Sequence, residues 1–156
     1  MDKNQAMLNF LLTCPFIQKN PIFFNFGNIE SDAFQMITHG DDVATQRPFI
    51  DGSVAKRYTF SVDCFKSVAY NPIVQVVTDE NLTEFKEAQD VLDWINKNGD
   101  DRIFPDFGPD CVIDTMKVNS AKPELVSVNT TQTPATAIYR ISCYVDYVDY
   151  SKRVWK

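Results

Sequence analysis

The sequence predicts an α+β domain whose largely antiparallel or mixed sheet packs against helices on one side. Three observations predict it. Apolar residues recur every three to four positions in only two stretches, near residues 4–13 and 78–99. Elsewhere they alternate with a period of two. The order is helix, strands, helix, strands, which segregates the two kinds of element instead of interleaving them as a doubly wound sheet does.

Taking the elements in order, Met7, Leu8, Leu11 and Leu12 fall at helical spacing and Pro15 follows, so a short helix over 4–13 is predicted. "PIFFNFGNI" and "AFQMITHG" read as two strands separated by the polar "ESD", with Gly27 and Asn28 as a bulge or turn. "HGDDVATQRPFIDGSVAKR" is punctuated by Gly, Asp and Pro and reads as a long excursion returning at Arg57. "RYTFSVDCFKS" alternates cleanly, placing Tyr58, Phe60, Val62 and Cys64 on the core face and Thr59, Ser61 and Asp63 on the other.

The period then changes to a helical one. Leu82, Phe85, Ala88, Leu92 and Ile95 form a stripe that Val91 and Trp94 widen. Thr78 or Asp79 can cap its start, and Lys97 with Gly99 suits its end. "DDRIFPDFGPD" is a Pro/Gly loop, "CVIDTMKV" a strand, and "LVSVN" forms a hairpin through "TTQTPAT" with a last strand from Ala135. That strand contains "YRISCYVDYVDY", with Tyr139, Ile141, Cys143, Val145 and Tyr147 on one face. Ile138, Arg140, Ser142, Tyr144, Asp146 and Val148 take the other.

The 156 residues are the size of one domain, read as 1–150 followed by a tail, 151–156, that carries Arg153 and Trp155. Hydrophobic residues make up 44% and aromatics 13%, which suits a packed core and excludes a disordered chain. A net charge of -6 argues against nucleic-acid binding, which needs clustered Lys and Arg. No apolar run approaches the roughly 20 residues of a membrane span, and "MDKNQAMLNFLLTC" lacks the pattern of a signal peptide. A protein assembled in the cytoplasm is expected.

Catalytic motifs are sparse. Neither GxGxxG nor GxxxxGK[ST] occurs, so no nucleotide site is expected. Cys14, Cys64, Cys111 and Cys143 are widely spaced and His39 is the one histidine, which suits buried small hydrophobes better than a metal centre. "HGDD" could orient an imidazole but also describes a solvated strand corner. The aspartates of "DDRIFPDFGPD" miss the spacing of a calcium loop. No catalytic residue, cofactor or metal is assigned. A binding or structural protein is favoured over an enzyme.

Taken together, the short N-terminal helix, "RYTFSVDCFKS", the helix ending "VLDWINKNG", the loop "RIFPDFGPDCVIDTMKV" and the strand "AIYRISCYVDYVDY" resemble the tail terminator, or tail completion, proteins of tailed bacteriophages. The resemblance spans about residues 1–150 and lies in length, order and texture. It implies a homo-hexameric ring in the virion, at the head-proximal end of the tail. Such a ring sits on the tail tube protein, stops polymerisation and meets the head connector, and in contractile tails the sheath. It implies no enzymatic residues.

On that reading a closed ring needs two different adhesive surfaces per subunit. Tyr144, Asp146, Val148, Tyr150, Arg153 and Trp155 are the candidate interface residues. Two other readings stay open: a small cytoplasmic α+β enzyme or ligand-binding domain using the aromatic strand as a pocket wall with His39 or a cysteine, and another phage connector or tube protein.

Overall fold

A computed structural model describes residues 2–17, 22–24, 33–42, 45–68, 79–129 and 135–154. The elements are α1 (Lys3–Leu11), β1 (Ile22–Phe24), β2 (Ala33–Asp41), β3 (Arg47–Pro48), β4 (Val54–Val68), α2 (Asp79–Asp100), β5 (Cys111–Val118), β6 (Glu124–Asn129) and β7 (Ala135–Asp149). The fold is the α+β class that the periodicities predict. Among the described residues seven strands form one sheet in the order β1-β2-β4-β7-β5, with β3 added to β4 and β6 to β7. Every pairing is antiparallel except β1 with β2.

The backbone of the sheet is the β4–β7 pair, in register over fifteen residues from Val54–Asp149 to Val68–Ala135. Because side chains alternate along a strand, this register sets one face of both strands at once. Tyr58, Phe60, Val62 and Cys64 on β4 and Tyr139, Ile141, Cys143, Val145 and Tyr147 on β7 are all buried in one core. Both helices cover that face. Ala88, Val91, Leu92 and Ile95 of α2 and Ala6, Met7, Phe10 and Leu11 of α1 join the same cluster. Phe10 of α1 meets Trp94 of α2 with ring centroids 5.1 Å apart, so the two helices touch through this aromatic pair.

Asp2 caps α1, its carboxylate accepting the Gln5 N–H at 2.7 Å. The helix ends at Leu11, so Pro15 follows its end. At the other end of α2 the expectation is corrected. Gly99 does not close the helix but lies inside it, where a Cβ would overlap the Met116 carbonyl oxygen of β5. The glycine lets the helix touch the strand backbone. The closing residue is Arg102, at φ 58°. Its N–H donates to the Gly99 carbonyl at 3.2 Å and the Ile103 N–H to the Asn98 carbonyl at 2.8 Å, the paired bonds of a Schellman stop.

A second correction concerns the excursion over 39–57. Strand β2 continues to Asp41, and β3 forms a hairpin with the first residues of β4 through the turn Phe49–Ser53. The Asp51–Gly52 pair is the turn signal inside "RPFIDGS". Of the strand over 21–29, residues 22–24 are β1; Gly27, Asn28, the "TTQT" turn and Thr78 lie outside the described residues.

The loop between α2 and β5 is pinned inward. Phe107 is buried with its ring edge-on to Tyr58 at 5.5 Å and to Tyr147 at 5.4 Å. Asp106 accepts the Gly108 N–H at 2.9 Å, so it stabilises its own turn.

Candidate functional site: the outer face and open end of the sheet

The face of the sheet turned away from the helices carries charge pairs instead of a second apolar layer. Arg57 of β4 and Asp146 of β7 are cross-strand partners, and the guanidinium donates to both carboxylate oxygens at 2.7 and 3.0 Å. The same guanidinium stacks 4.1 Å from the Tyr144 ring centroid. Bonding to Asp146 raises the Arg57 pKa further, against the opposing effect of burial.

Further along, Arg140 donates to both oxygens of Asp63 at 2.8 and 2.9 Å, and Asp63 is only 3% exposed. Between these two forks lies Ser61, also buried, whose hydroxyl has no hydrogen-bond partner among the described residues. Expected on the non-core face, Ser61 and Asp63 lie there, yet both are buried, Asp63 beneath the Arg140 guanidinium. Tyr144 and Asp146 are thus held by Arg57 within the chain.

Val148 marks a change of character. It pairs with Ala55 on one side and Val112 on the other, forming an apolar row across three strands. Beyond it this end of the sheet exposes apolar side chains among polar ones. Phe49, Ile50, Val148 and Tyr150 line one shallow depression, with Asp51 and Ser53. Tyr150, Val112 and Arg153 line its neighbour, with Pro109, Asp110 and Ser151. Ile50 is 94% exposed, Val154 74%, Val112 55% and Phe49 51%. Contiguous apolar exposure of this kind marks contact surfaces more often than isolated apolar residues do.

The tail past β7 is built into this end. The Tyr150 N–H donates to the Asp110 carbonyl at 2.7 Å, Arg153 N–H to the Tyr150 carbonyl at 3.0 Å, and Val154 N–H to the Asp51 carbonyl at 2.5 Å. Gly52, at φ 89°, admits the tail because any Cβ there would overlap the Lys152 carbonyl oxygen. Arg153 lies 5.1 Å from the Tyr150 ring centroid. Val148, Tyr150 and Arg153 therefore come together. Trp155 lies outside the described residues.

Phe49, Ile50, Val112 and Val154 were not singled out by the alternation pattern. An apolar pair placed immediately before an Asp-Gly turn was the available signal, since a hairpin tip is exposed whatever its residues.

A polar cluster closes the opposite, helix-covered face at the same end. Tyr147 donates to Asp41 at 2.6 Å beneath the Lys3 ammonium, which lies 5.2 Å from its ring centroid. Burial, then the bond to Asp41, pushes the Tyr147 hydroxyl well up, and burial raises Tyr58 to about 12. Lys56 pairs with Asp149 at 3.2 Å. Burial would raise Asp149, but hydrogen bonds from Ser151 and from Lys56 outweigh it and bring the carboxyl down to about 2.

The thiols are poorly suited to nucleophilic work. Cys14, Cys64 and Cys143 are buried, and burial raises the pKa of Cys14, Cys111 and Cys143. A reactive thiol needs the opposite shift. His39 is exposed on the bulge of β2 beside Gly40. Among the described residues no three His, Cys, Asp or Glu side chains converge as metal ligands. No described helix is long and apolar enough to cross a membrane. No protein-family model matches the chain, and no curated protein sequence matches it.

Proposed function

We propose that the chain is a structural, non-enzymatic subunit of a bacteriophage tail: a tail terminator that closes into a homo-hexameric ring on the tail tube protein, halts its polymerisation and offers a surface to the head connector. In a contractile tail the same ring also meets the sheath protein. Its place is the head-proximal end of the tail in the virion, reached by assembly in the host cytoplasm.

One observation carries the reading. The open end of the sheet holds a surface of Phe49, Ile50, Val112, Val148, Tyr150 and Val154, and Tyr150, Arg153 and Val154 are hydrogen-bonded into it. Apolar and tyrosine side chains on a rigid scaffold are what a subunit contact needs, because little conformational freedom is lost when a partner covers them. The order and texture of elements over residues 1–150 supply the phage context.

The test is the absolute mass in solution across a concentration series, for the full chain and for a variant ending at Tyr150. Ring formation predicts a mass that climbs toward six copies, with the shortened variant lagging because Val154 no longer ties the Asp51 turn. A full-length protein that stays monomeric throughout contradicts the reading.

A further inference from the structure

A free sheet edge presents unpaired N–H and C=O groups to any passing strand, and proteins blunt such edges by shortening, bulging or covering them. Among the described residues the edges of this sheet are blunted in different ways. Strand β1 has three residues, β3 has two and ends in Pro48, which lacks an N–H, and β6 is interrupted by a register shift between Leu125 and Ser127. Strand β5 is eight residues long and closes the strand order, so its far side meets no strand among the described residues.

What meets that side is the end of α2. The Asn119 N–H donates to the Ser142 carbonyl of β7 at 2.8 Å, and residues two apart in an antiparallel ladder turn their backbone groups the same way. Thr115 and Lys117 therefore face β7, whereas Met116 and Val118 turn their backbone groups outward. The Val118 N–H donates to Asn96 Oδ1 at 3.0 Å. The Met116 carbonyl oxygen occupies the place of a Gly99 Cβ, so a hydrogen of the Gly99 Cα points at it instead, a weak C–H···O contact. At the bulge of β5, the Asp114 carbonyl accepts from Arg102 Nη1 at 3.4 Å.

Each outward group has a counterpart of the right kind: an acceptor for the N–H, a donor for one carbonyl, and a residue without a side chain where the other carbonyl comes closest. Asn96, Gly99 and Arg102 are spaced by three, so they follow one face of the helix and its stop. Val118, Met116 and Asp114 are spaced by two and run the opposite way. One line of α2 thus lies along the strand edge.

We propose that this line is a guard on β5, held shut by Asn96, Gly99 and Arg102, and that opening it lets β5 pair edge to edge with β5 of a second copy. The freed edge is self-complementary. Two identical edges related by a two-fold axis run antiparallel and exchange N–H and C=O groups. The guard stands apart from the ring reading.

Two opened variants test it by sedimentation and amide hydrogen exchange. Gly99→Leu wedges α2 off the strand, and Asn96→Ala/Arg102→Gly removes both polar ties while keeping Gly99 and a residue suited to the left-handed stop. Circular dichroism shows which of them folds, and the double variant decides the matter where Gly99→Leu does not fold. In the opened chain the Val118 amide should exchange at least tenfold faster than in the unaltered chain, and self-association should tighten at least tenfold. Adding Val118→Pro should return association to that of the unaltered chain, because proline offers no N–H to a second strand and the ladder to β7 does not use this one. Opened variants that sediment like the unaltered chain, exchange at Val118 that does not quicken, or association that survives Val118→Pro would each overturn the guard. The assembly of the unaltered chain is the baseline throughout, so any of these results leaves the ring reading standing.

Discussion

Replacing Gly99 with Ala opposes two effects whose balance the structure decides. Gly99 lies in the last turns of α2, and in a free helix Ala would be favoured there by about 1 kcal/mol. Here the added methyl would sit on the Met116 carbonyl oxygen of β5. Both groups belong to backbone, one in a helix and one in the sheet, so neither can swing aside as a flexible side chain would. Relief requires moving α2 off β5, where Asn96 also accepts the Val118 N–H at 3.0 Å. Overpacking costs about 1–3 kcal/mol and occasionally more, and an overlap between two fixed backbones belongs at the upper end, about 2–3 kcal/mol, which exceeds the propensity gain. The expected net loss is about 1–2 kcal/mol. For a domain of this size that is a fall in Tm of roughly 2–8 °C. Urea and thermal unfolding followed by circular dichroism would measure it. A Gly99→Ala variant as stable as the parent, or more stable, would refute the close approach of α2 to β5.

The helix end gives the converse case: Arg102→Gly relieves a residue held at φ 58° and should stabilise by about 0.5–1 kcal/mol in the same assay, while a loss would contradict the left-handed stop. Asp149 has a folded pKa near 2 against an ordinary 3.8, so its contribution is complete above about pH 4 and disappears as pH falls toward 2. The stability gap between the parent and Asp149→Asn should close over that window, and a constant gap would show that the Lys56 and Ser151 contacts do not hold the carboxylate. Removing Asp63 by Asp63→Ala leaves the Arg140 guanidinium without its fork and should cost about 1–3 kcal/mol, the lower end being expected because Arg140 is 36% exposed and its lost partner is replaced by water. A negligible change in urea midpoint would contradict the pairing. In the folded protein a maleimide should modify Cys111 ahead of Cys14, Cys64 and Cys143, which react on unfolding; early modification of Cys143 would contradict its burial.

The fold was legible wherever one face of an element is buried. The alternation over "RYTFSVDCFKS" and "YRISCYVDY" places all the core-cluster residues of these two strands on the expected face, because a two-residue period leaves a strand no other way to bury them, although Ser61, Asp63 and Phe65 of the other face are buried as well. The α2 stripe is legible for the same reason at a helical period. Where it failed, the deciding contact was distant in sequence. Gly99 reads as a helix stop from its neighbours, and only the approach of Met116 reveals its role. Asp63 reads only as a residue of the non-core face, and the pairing that buries it comes from Arg140, 77 residues away.

The candidate interface divides along the same line. Val148, Tyr150 and Arg153 gather at the open end, whereas Tyr144 and Asp146 are held by Arg57. The hairpin tip escaped notice because β3 has two residues, too few for any period to show.

The most direct test of ring assembly is to image the purified chain by electron microscopy and weigh the same sample by light scattering. The account predicts closed rings of uniform size at about 107 kDa, six copies of a 17.8 kDa chain. Single particles of one chain's mass, or open filaments of unlimited length, would contradict it.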